Sequence, residues 1–237
     1  FDELRAAGHE PKGIRLDSGD LAYLSKRARR MLDEAGYPDA IICASGDLDE
    51  YLITSLKNQG AKIDLWGVGT KLITSADMPA LGGVYKLSAL YPKEGGEVPK
   101  IKLSDNSDKI TNPAFKDVYR IYDNATGKAE ADLIVVRGEK IDTGKPLTIF
   151  HPKDTWKRTT FTDYSVRQLT VPVIKGGKLV YELPPLSAVC EYAEREKETF
   201  WDEYKRLDNP HVYKVDLSQK LYDIKNKLIS EIRAENA

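Results

Sequence analysis

The chain has 237 residues, 41% of them hydrophobic and 31% charged. That is enough to bury a core in one large domain or two ordinary ones, and no apolar run approaches the roughly 18 residues of a membrane helix. With 36 Lys plus Arg against 37 Asp plus Glu, the charge balance excludes a protein whose main work is gripping a nucleic-acid backbone, while leaving room for a small basic pocket.

Phe1 to Gly8 reads as the end of an amphipathic helix. It has neither the basic start nor the apolar stretch of a signal peptide. With no initiator Met, the expectation is a C-terminal piece of something longer. Residues 13 to 92 then alternate strand and helix signals. Gly13-Ile14-Arg15-Leu16 is a short strand, and Leu21, Leu24, Ala28, Met31, Leu32 and Ala35 recur on one helix face. Ala40 to Ala44 is a continuous apolar run, as in a strand covered on both faces. Leu48 to Gln59 is predicted as a helix, Ile63 to Gly67 as a strand, a short helix starts near Thr70, and Val84 to Leu90 is predicted as a fourth strand. Their spacing suits βα units and a parallel sheet.

After Pro92 the pattern changes to short strands and turns, with a hairpin expected across Gly176-Gly177. From Ser187 to Arg206 the chain turns helical, and Leu217, Leu221, Ile224, Leu228 and Ile232 mark a last helix. The expected division is therefore 1–92, βα units on a parallel sheet; 93–185, a β-rich domain; and 186–237, a helical segment.

Three polar clusters fall where strands hand over to helices: Arg15 to Asp20, Ser45 to Glu50, and Gly67 to Lys71. Ligands of parallel α/β folds bind at the carboxyl ends of the strands. Glycines followed by Thr at a helix start offer N–H groups and a hydroxyl to a phosphate, carboxylates accept hydrogen bonds from sugar hydroxyls, and an Arg holds an anion. Plainer roles compete: Asp20 can cap the helix at Leu21, Asp47 with Glu50 has capping-box spacing, and Gly67 and Gly69 can serve a tight turn. The Gly67-Val68-Gly69 loop fits neither the dinucleotide fingerprint nor the P-loop spacing. His9, His151 and His211 have no metal-ligand spacing, no metal site is expected, and Cys43 and Cys190 read as two reduced thiols of a cytoplasmic protein.

Taken jointly, Gly13 to Leu21, Ser45 to Glu50, Gly67 to Thr70, Gly83 to Leu87, Lys102-Leu103-Ser104, Lys109 to Pro113, Lys116 to Arg120 and Arg206 to Tyr213 resemble nicotinate phosphoribosyltransferase in order and spacing over almost the whole chain. The resemblance implies a type II phosphoribosyltransferase fold, an irregular α/β barrel joined to a β-rich region, with this chain as its second half. It implies transfer of a phosphoribosyl group from phosphoribosyl pyrophosphate to nicotinate, coupled to ATP hydrolysis, with Mg²⁺ and ATP but no tightly bound cofactor. Nicotinate, phosphoribosyl pyrophosphate and ATP are the implied partners, and neither nucleic acid nor membrane is expected. Half a barrel exposes apolar strand edges and invites pairing with another copy, as a homodimer, or with the missing half.

By the same resemblance Arg15 and Asp17 would act at the ribosyl group or pyrophosphate, with Ser18 beside them. Gly46 (often Asn in the family) and Asp47 would face the ribose hydroxyls. Gly67, Gly69 and Thr70 would cradle the 5-phosphate, and Lys86, Lys102 and Lys109 would face pyrophosphate or ATP phosphates. The family's phosphorylated histidine lies in a motif that none of His9, His151 or His211 matches, so the chain alone is expected to be inactive or nearly so. A nicotinamide or quinolinate phosphoribosyltransferase, a barrel isomerase or aldolase using Lys86, and a non-catalytic nucleotide-binding fragment remain as alternatives.

Overall fold

The computed structural model describes residues 1–106, 109–154 and 156–235. The chain forms two units, Phe1–Gly83 and Val84–Ala237, where the sequence suggested divisions after 92 and 185.

The first unit starts with a short helix, α1 (Asp2–Ala6), followed by β1 (Gly13–Leu16), α2 (Leu21–Glu34), β2 (Ile41–Ala44), α3 (Glu50–Asn58), β3 (Leu65–Trp66) and α4 (Thr70–Ile73). The three strands form a parallel sheet in the order β1-β2-β3. Ile42 and Ala44 are fully buried. Leu21, Ala22 and Leu32 of α2 and Leu56 of α3 cover the sheet, as the 3.6-residue spacing requires. Ser25 is a polar residue buried on α2. Its hydroxyl donates to the Ala22 carbonyl and accepts from the Lys62 N–H, so its burial leaves nothing unpaired. The Arg29 fork donates to the carbonyls of Ala40 (2.5 Å) and Tyr37 (2.6 Å). It thereby fastens the end of α2 to the chain entering β2. Gly13 is obligatory, because a Cβ there would lie 2.2 Å from the Ile41 carbonyl oxygen.

The second unit opens differently from the sequence expectation. Of the predicted strand at 84–90 only β4 (Ala89–Leu90) forms, and it pairs antiparallel with β5 (Val98–Pro99). The Ser88 carbonyl accepts from both Lys100 N and Ala114 N. These bonds tie the segment to the chain beyond β5 and move the boundary back to Gly83. The main sheet has six strands: β6 (Lys116–Asp123), β7 (Ala129–Val136), β8 (Leu147–Phe150), β9 (Arg158–Phe161), β10 (Tyr164–Gln168) and β13 (Lys214–Leu217), in the order β10-β6-β7-β13-β8-β9. The hairpin β11 (Ile174–Lys175) and β12 (Lys178–Leu179) turns at Gly176-Gly177 as expected.

Strand β13 is the element the sequence did not announce. It lies parallel to β7 and antiparallel to β8, and Leu217, read as the first residue of the last helix face, is a buried strand residue. Ile121, Ala131, Leu133, Val135, Ile149 and Tyr164 make one core cluster, while Ala114, Val136, Leu217 and Leu221 make another under α6 (Gln219–Glu235). The last helix therefore belongs to the β-rich unit. Helix α5 (Leu186–Thr199) ends short of the expected Arg206 and gives way to a 3₁₀ turn at Asp202–Tyr204. It is held through Glu196, which pairs with Arg167 and, at 3.5 Å, with Arg120. Arg120 in turn forms a two-toothed bond to Asp132 at 2.8 and 3.0 Å.

Candidate functional site and loop lysines

In the first unit the turns after β1 and β2 meet at the carboxyl edge of the sheet. The Ser45 N–H donates to the Leu16 carbonyl at 2.9 Å, and the Ser45 hydroxyl donates to Asp17 Oδ1 at 2.5 Å. Arg15 Nη2 lies 3.4 Å from Asp17 Oδ2. Gly46, with φ +99°, brings its backbone against the β1 turn, and a Cβ there would sit 2.6 Å from the Asp17 carbonyl oxygen. Only glycine accepts both that backbone and that approach.

The next residue, Asp47, has φ +46°, a conformation Asp tolerates better than most residues. The helix cap is supplied elsewhere: Asp49 accepts from Leu52 N at 2.7 Å and forms the N-cap of α3. The capping-box assignment of Asp47 is thus corrected, and its carboxylate is exposed at the turn. Asp20 does cap α2, accepting from Tyr23 N at 2.9 Å.

These turns line a cleft of about 510 Å³ bounded by Asp17, Ser18, Gly19, Asp20, Ser45, Gly46 and Asp47, with Leu52, Leu56 and Gln59 behind them. The third turn is adjacent but separate. The Gly67 N–H donates to the Ala44 carbonyl, and a Cβ on Gly67 would touch Ser45 Cβ at 3.4 Å. Val68 and Lys71 line a second cleft, of about 320 Å³, together with Asp49 and Glu50. Gly69 is the N-cap of α4, and Thr70 is its first residue. The structure gathers Asp17, Ser18, Gly46 and Asp47 at one cleft, sets Arg15 beside it through its ion pair, and leaves Gly67, Gly69 and Thr70 at the neighbouring turn.

In the second unit, Lys86 is half-buried and Lys102 and Lys109 lie on the two limbs of one loop. The feet of that loop are joined by a hydrogen bond from Lys102 N to Thr111 Oγ1 at 3.1 Å. Beyond the loop the structure shows two ammonium groups, one half-buried and one buried, that sequence reasoning missed as structural devices. Lys116 Nζ donates to the carbonyls of Asn112, Pro113 and Ala114. Lys225 Nζ donates to Asn112 Oδ1 at 2.8 Å and to the Pro152 carbonyl at 2.9 Å. Burial pulls the pKa of both below that of a free lysine.

Residues 115–225 match the family described as nicotinate phosphoribosyltransferase C-terminal domain. Nicotinate phosphoribosyltransferase of Bacillus subtilis (strain 168) is 46% identical over 222 residues, which cover 94% of this chain and 45% of that protein. The enzyme of the same name from Dictyostelium discoideum is 35% identical over 240 residues, covering 95% and 40%. The chain is similar to nicotinate phosphoribosyltransferases over most of its length, and its residues 115–225 belong to the family of their C-terminal domain. It spans less than half the length of these curated relatives. The crystal structure of human nicotinic acid phosphoribosyltransferase aligns with a TM-score of 0.70 at 23% identity, over 94% of this chain and 41% of that one. This supports a shared mixed α/β fold.

Ser45 is the residue of the Asp17 cleft that sequence reasoning passed over. It stands inside one of the three polar clusters, but nothing along the chain signals that its hydroxyl reaches Asp17, 28 residues away. Among the described residues, no three His, Cys, Asp or Glu gather as a metal cage, and no helix is long and apolar enough to cross a membrane.

Proposed function

We propose that the chain supplies the phosphoribosyl-binding part of a nicotinate phosphoribosyltransferase, which joins nicotinate to the ribosyl group of phosphoribosyl pyrophosphate in salvage of the pyridine nucleotide. The observation that carries this reading is the cleft at the carboxyl ends of β1 and β2. There Asp17 is oriented by the Ser45 hydroxyl and by Arg15, and Asp47 is held at positive φ with no capping duty.

In the reaction the bond from the ribosyl carbon to pyrophosphate breaks and a bond to the pyridine nitrogen forms. Positive charge builds on the ribosyl carbon and negative charge on the leaving group. Asp17 and Asp47 would hold ribose hydroxyls and ease the positive charge. Gly67, Gly69 and Thr70 would bind the 5-phosphate through N–H groups and a hydroxyl. Lys86, Lys102 and Lys109 would face pyrophosphate or the phosphates of ATP. The donor set fits Mg²⁺ carried largely by substrate phosphates, because such an ion needs only one or two protein carboxylates. Asp17 and Asp47 would supply them. When bound, Mg²⁺ would neutralise part of the charge on departing pyrophosphate. The barrel arrangement, the ATP coupling, the homodimer and a low turnover by this chain alone belong to the same proposal.

The test is calorimetric titration of the 237-residue chain with nicotinate mononucleotide and with ribose 5-phosphate, with amide shifts followed by NMR. Both ligands are expected to shift Asp17 to Asp20, Ser45 to Asp47 and Gly67 to Thr70, and Asp47→Asn should weaken them at least tenfold. Shifts confined to other residues, or no binding, would overturn the reading. Tighter binding of nicotinamide mononucleotide would keep the site and move the substrate.

A further inference from the structure

Lys225 sits on the last helix, far along the chain from every residue assigned to phosphate binding. It is only 6% exposed. Burying an ammonium is costly unless its donors find partners, and here the partners lie outside α6. One is the side chain of Asn112 and the other the carbonyl of Pro152. The hydrocarbon part of Lys225 is on the helix that Leu221 packs beneath the sheet. The ammonium is thus a fixed post rather than a mobile surface charge.

Asn112 is three residues beyond Lys109 and directly follows Thr111, whose hydroxyl accepts from Lys102 N. On its other side, Pro113 and Ala114 turn under the Lys116 ammonium, and Ala114 N is fixed to the Ser88 carbonyl. Ala114 takes φ +71°, so this turn is held against its own backbone preference. The loop that presents Lys102 and Lys109 therefore has a rigid foot, and one of the two ammonium groups holding it comes from α6.

We propose that Lys225 is a positioning residue for this loop. Through Asn112 it fixes the foot from which Lys102 and Lys109 present their charges to a pyrophosphate group. The proposal rests on the assignment of those two lysines to phosphate given above. An exposed lysine on a loose loop loses much of its electrostatic advantage to the cost of ordering it, whereas a fixed foot removes part of that cost in advance. Lys225 does not touch the anion and acts through Asn112.

The experiment compares the full 237-residue chain with Lys225→Met, Lys225→Arg, Asn112→Ala and the Lys225→Met/Asn112→Ala double variant. Inorganic pyrophosphate and ribose 5-phosphate are titrated separately, and amide hydrogen exchange is followed over 100–114. Lys225→Met and Asn112→Ala should each weaken pyrophosphate about tenfold, and the double variant should be no worse than either single one, as for two members of one interaction. Lys225→Arg should recover much of the affinity. Ribose 5-phosphate binding should not change, which separates positioning from general loss of fold. Equal pyrophosphate affinity in Lys225→Met, or additive losses in the double variant, would overturn the proposal. If the unaltered chain fails to bind pyrophosphate, the phosphate assignment of Lys102 and Lys109 falls. Amide exchange then decides the rest: faster exchange at Lys102 and Ala114 in Lys225→Met, recovered in Lys225→Arg, upholds the fixed foot, and unchanged exchange removes it.

Discussion

At the residue scale, two aspartates two positions apart divide the work that the sequence presents as one motif. Asp49 closes the first turn of α3, and Asp47 sits at positive φ with its carboxylate at the cleft. Asp49→Ala should therefore cost about 1 kcal/mol of stability. Asp47→Asn, which keeps a residue tolerant of the left-handed region, should change stability by less than about 0.5 kcal/mol. Urea unfolding of the two variants checks the contrast, and equal losses would return Asp47 to the cap. Gly46 gives a sharper case. Gly46→Ala must accommodate φ +99° and a Cβ 2.6 Å from the Asp17 carbonyl oxygen. It should lower stability by about 1–3 kcal/mol, read as a shift in the urea midpoint with an unchanged slope. The cap at Asp20 was legible because a single acidic residue precedes a clear apolar period. The choice between Asp47 and Asp49 was not, because it is made by the backbone angles of Gly46 and its successor, which no spacing reveals.

At the scale of elements, legibility followed length and local pattern. Helix α2 and strand β2 came within a residue of expectation because one carries a helical period and the other an unbroken apolar run. Strand β13 has four residues, lies between a Pro-His loop and a helix, and owes its existence to the slot between β7 and β8. Its partners are more than 60 residues away along the chain, so nothing local announces it. Helix α5 shows the same dependence on distant partners, because none of its residues is buried and its grip on the sheet is Glu196. Hydrogen bonds from Arg167, helped by the charges of Arg167 and Arg120, hold the Glu196 carboxyl below the ordinary carboxylate range. A depressed folded pKa binds fewer protons than the unfolded chain does. The stabilisation is therefore complete above the ordinary carboxylate range and is lost as pH falls through it toward the folded value. Glu196→Gln should be less stable than the unaltered protein at about pH 7, and the gap should narrow on acidification to about pH 3. Urea midpoints taken across that range test it, and a gap that stays constant with pH would assign the loss to packing instead of charge.

At the scale of the whole molecule, the division into two units makes its own prediction. Between the end of α4 at Ile73 and the start of β4 at Ala89 the described chain forms no helix or strand, and it exposes large apolar side chains, with Leu81 at 84% and Tyr85 at 97%. Exposed backbone without regular hydrogen bonds is where proteases cut first. Limited chymotrypsin digestion should therefore cleave first at Leu81, Tyr85 or Leu87. The C-terminal product would retain all six strands of the main sheet, both of its core clusters and α6. Nothing in that inventory is contributed by the first unit, so the fragment should persist through digestion and unfold in a single transition. The sequence placed the change of style after Pro92 because composition shifts there. The physical boundary lies earlier because the Ser88 carbonyl is already bonded to Lys100 and Ala114, a pairing that composition cannot show. First cleavage within the β6–β7 hairpin, or a C-terminal product that vanishes as fast as it forms, would mean that the second unit does not stand on its own core.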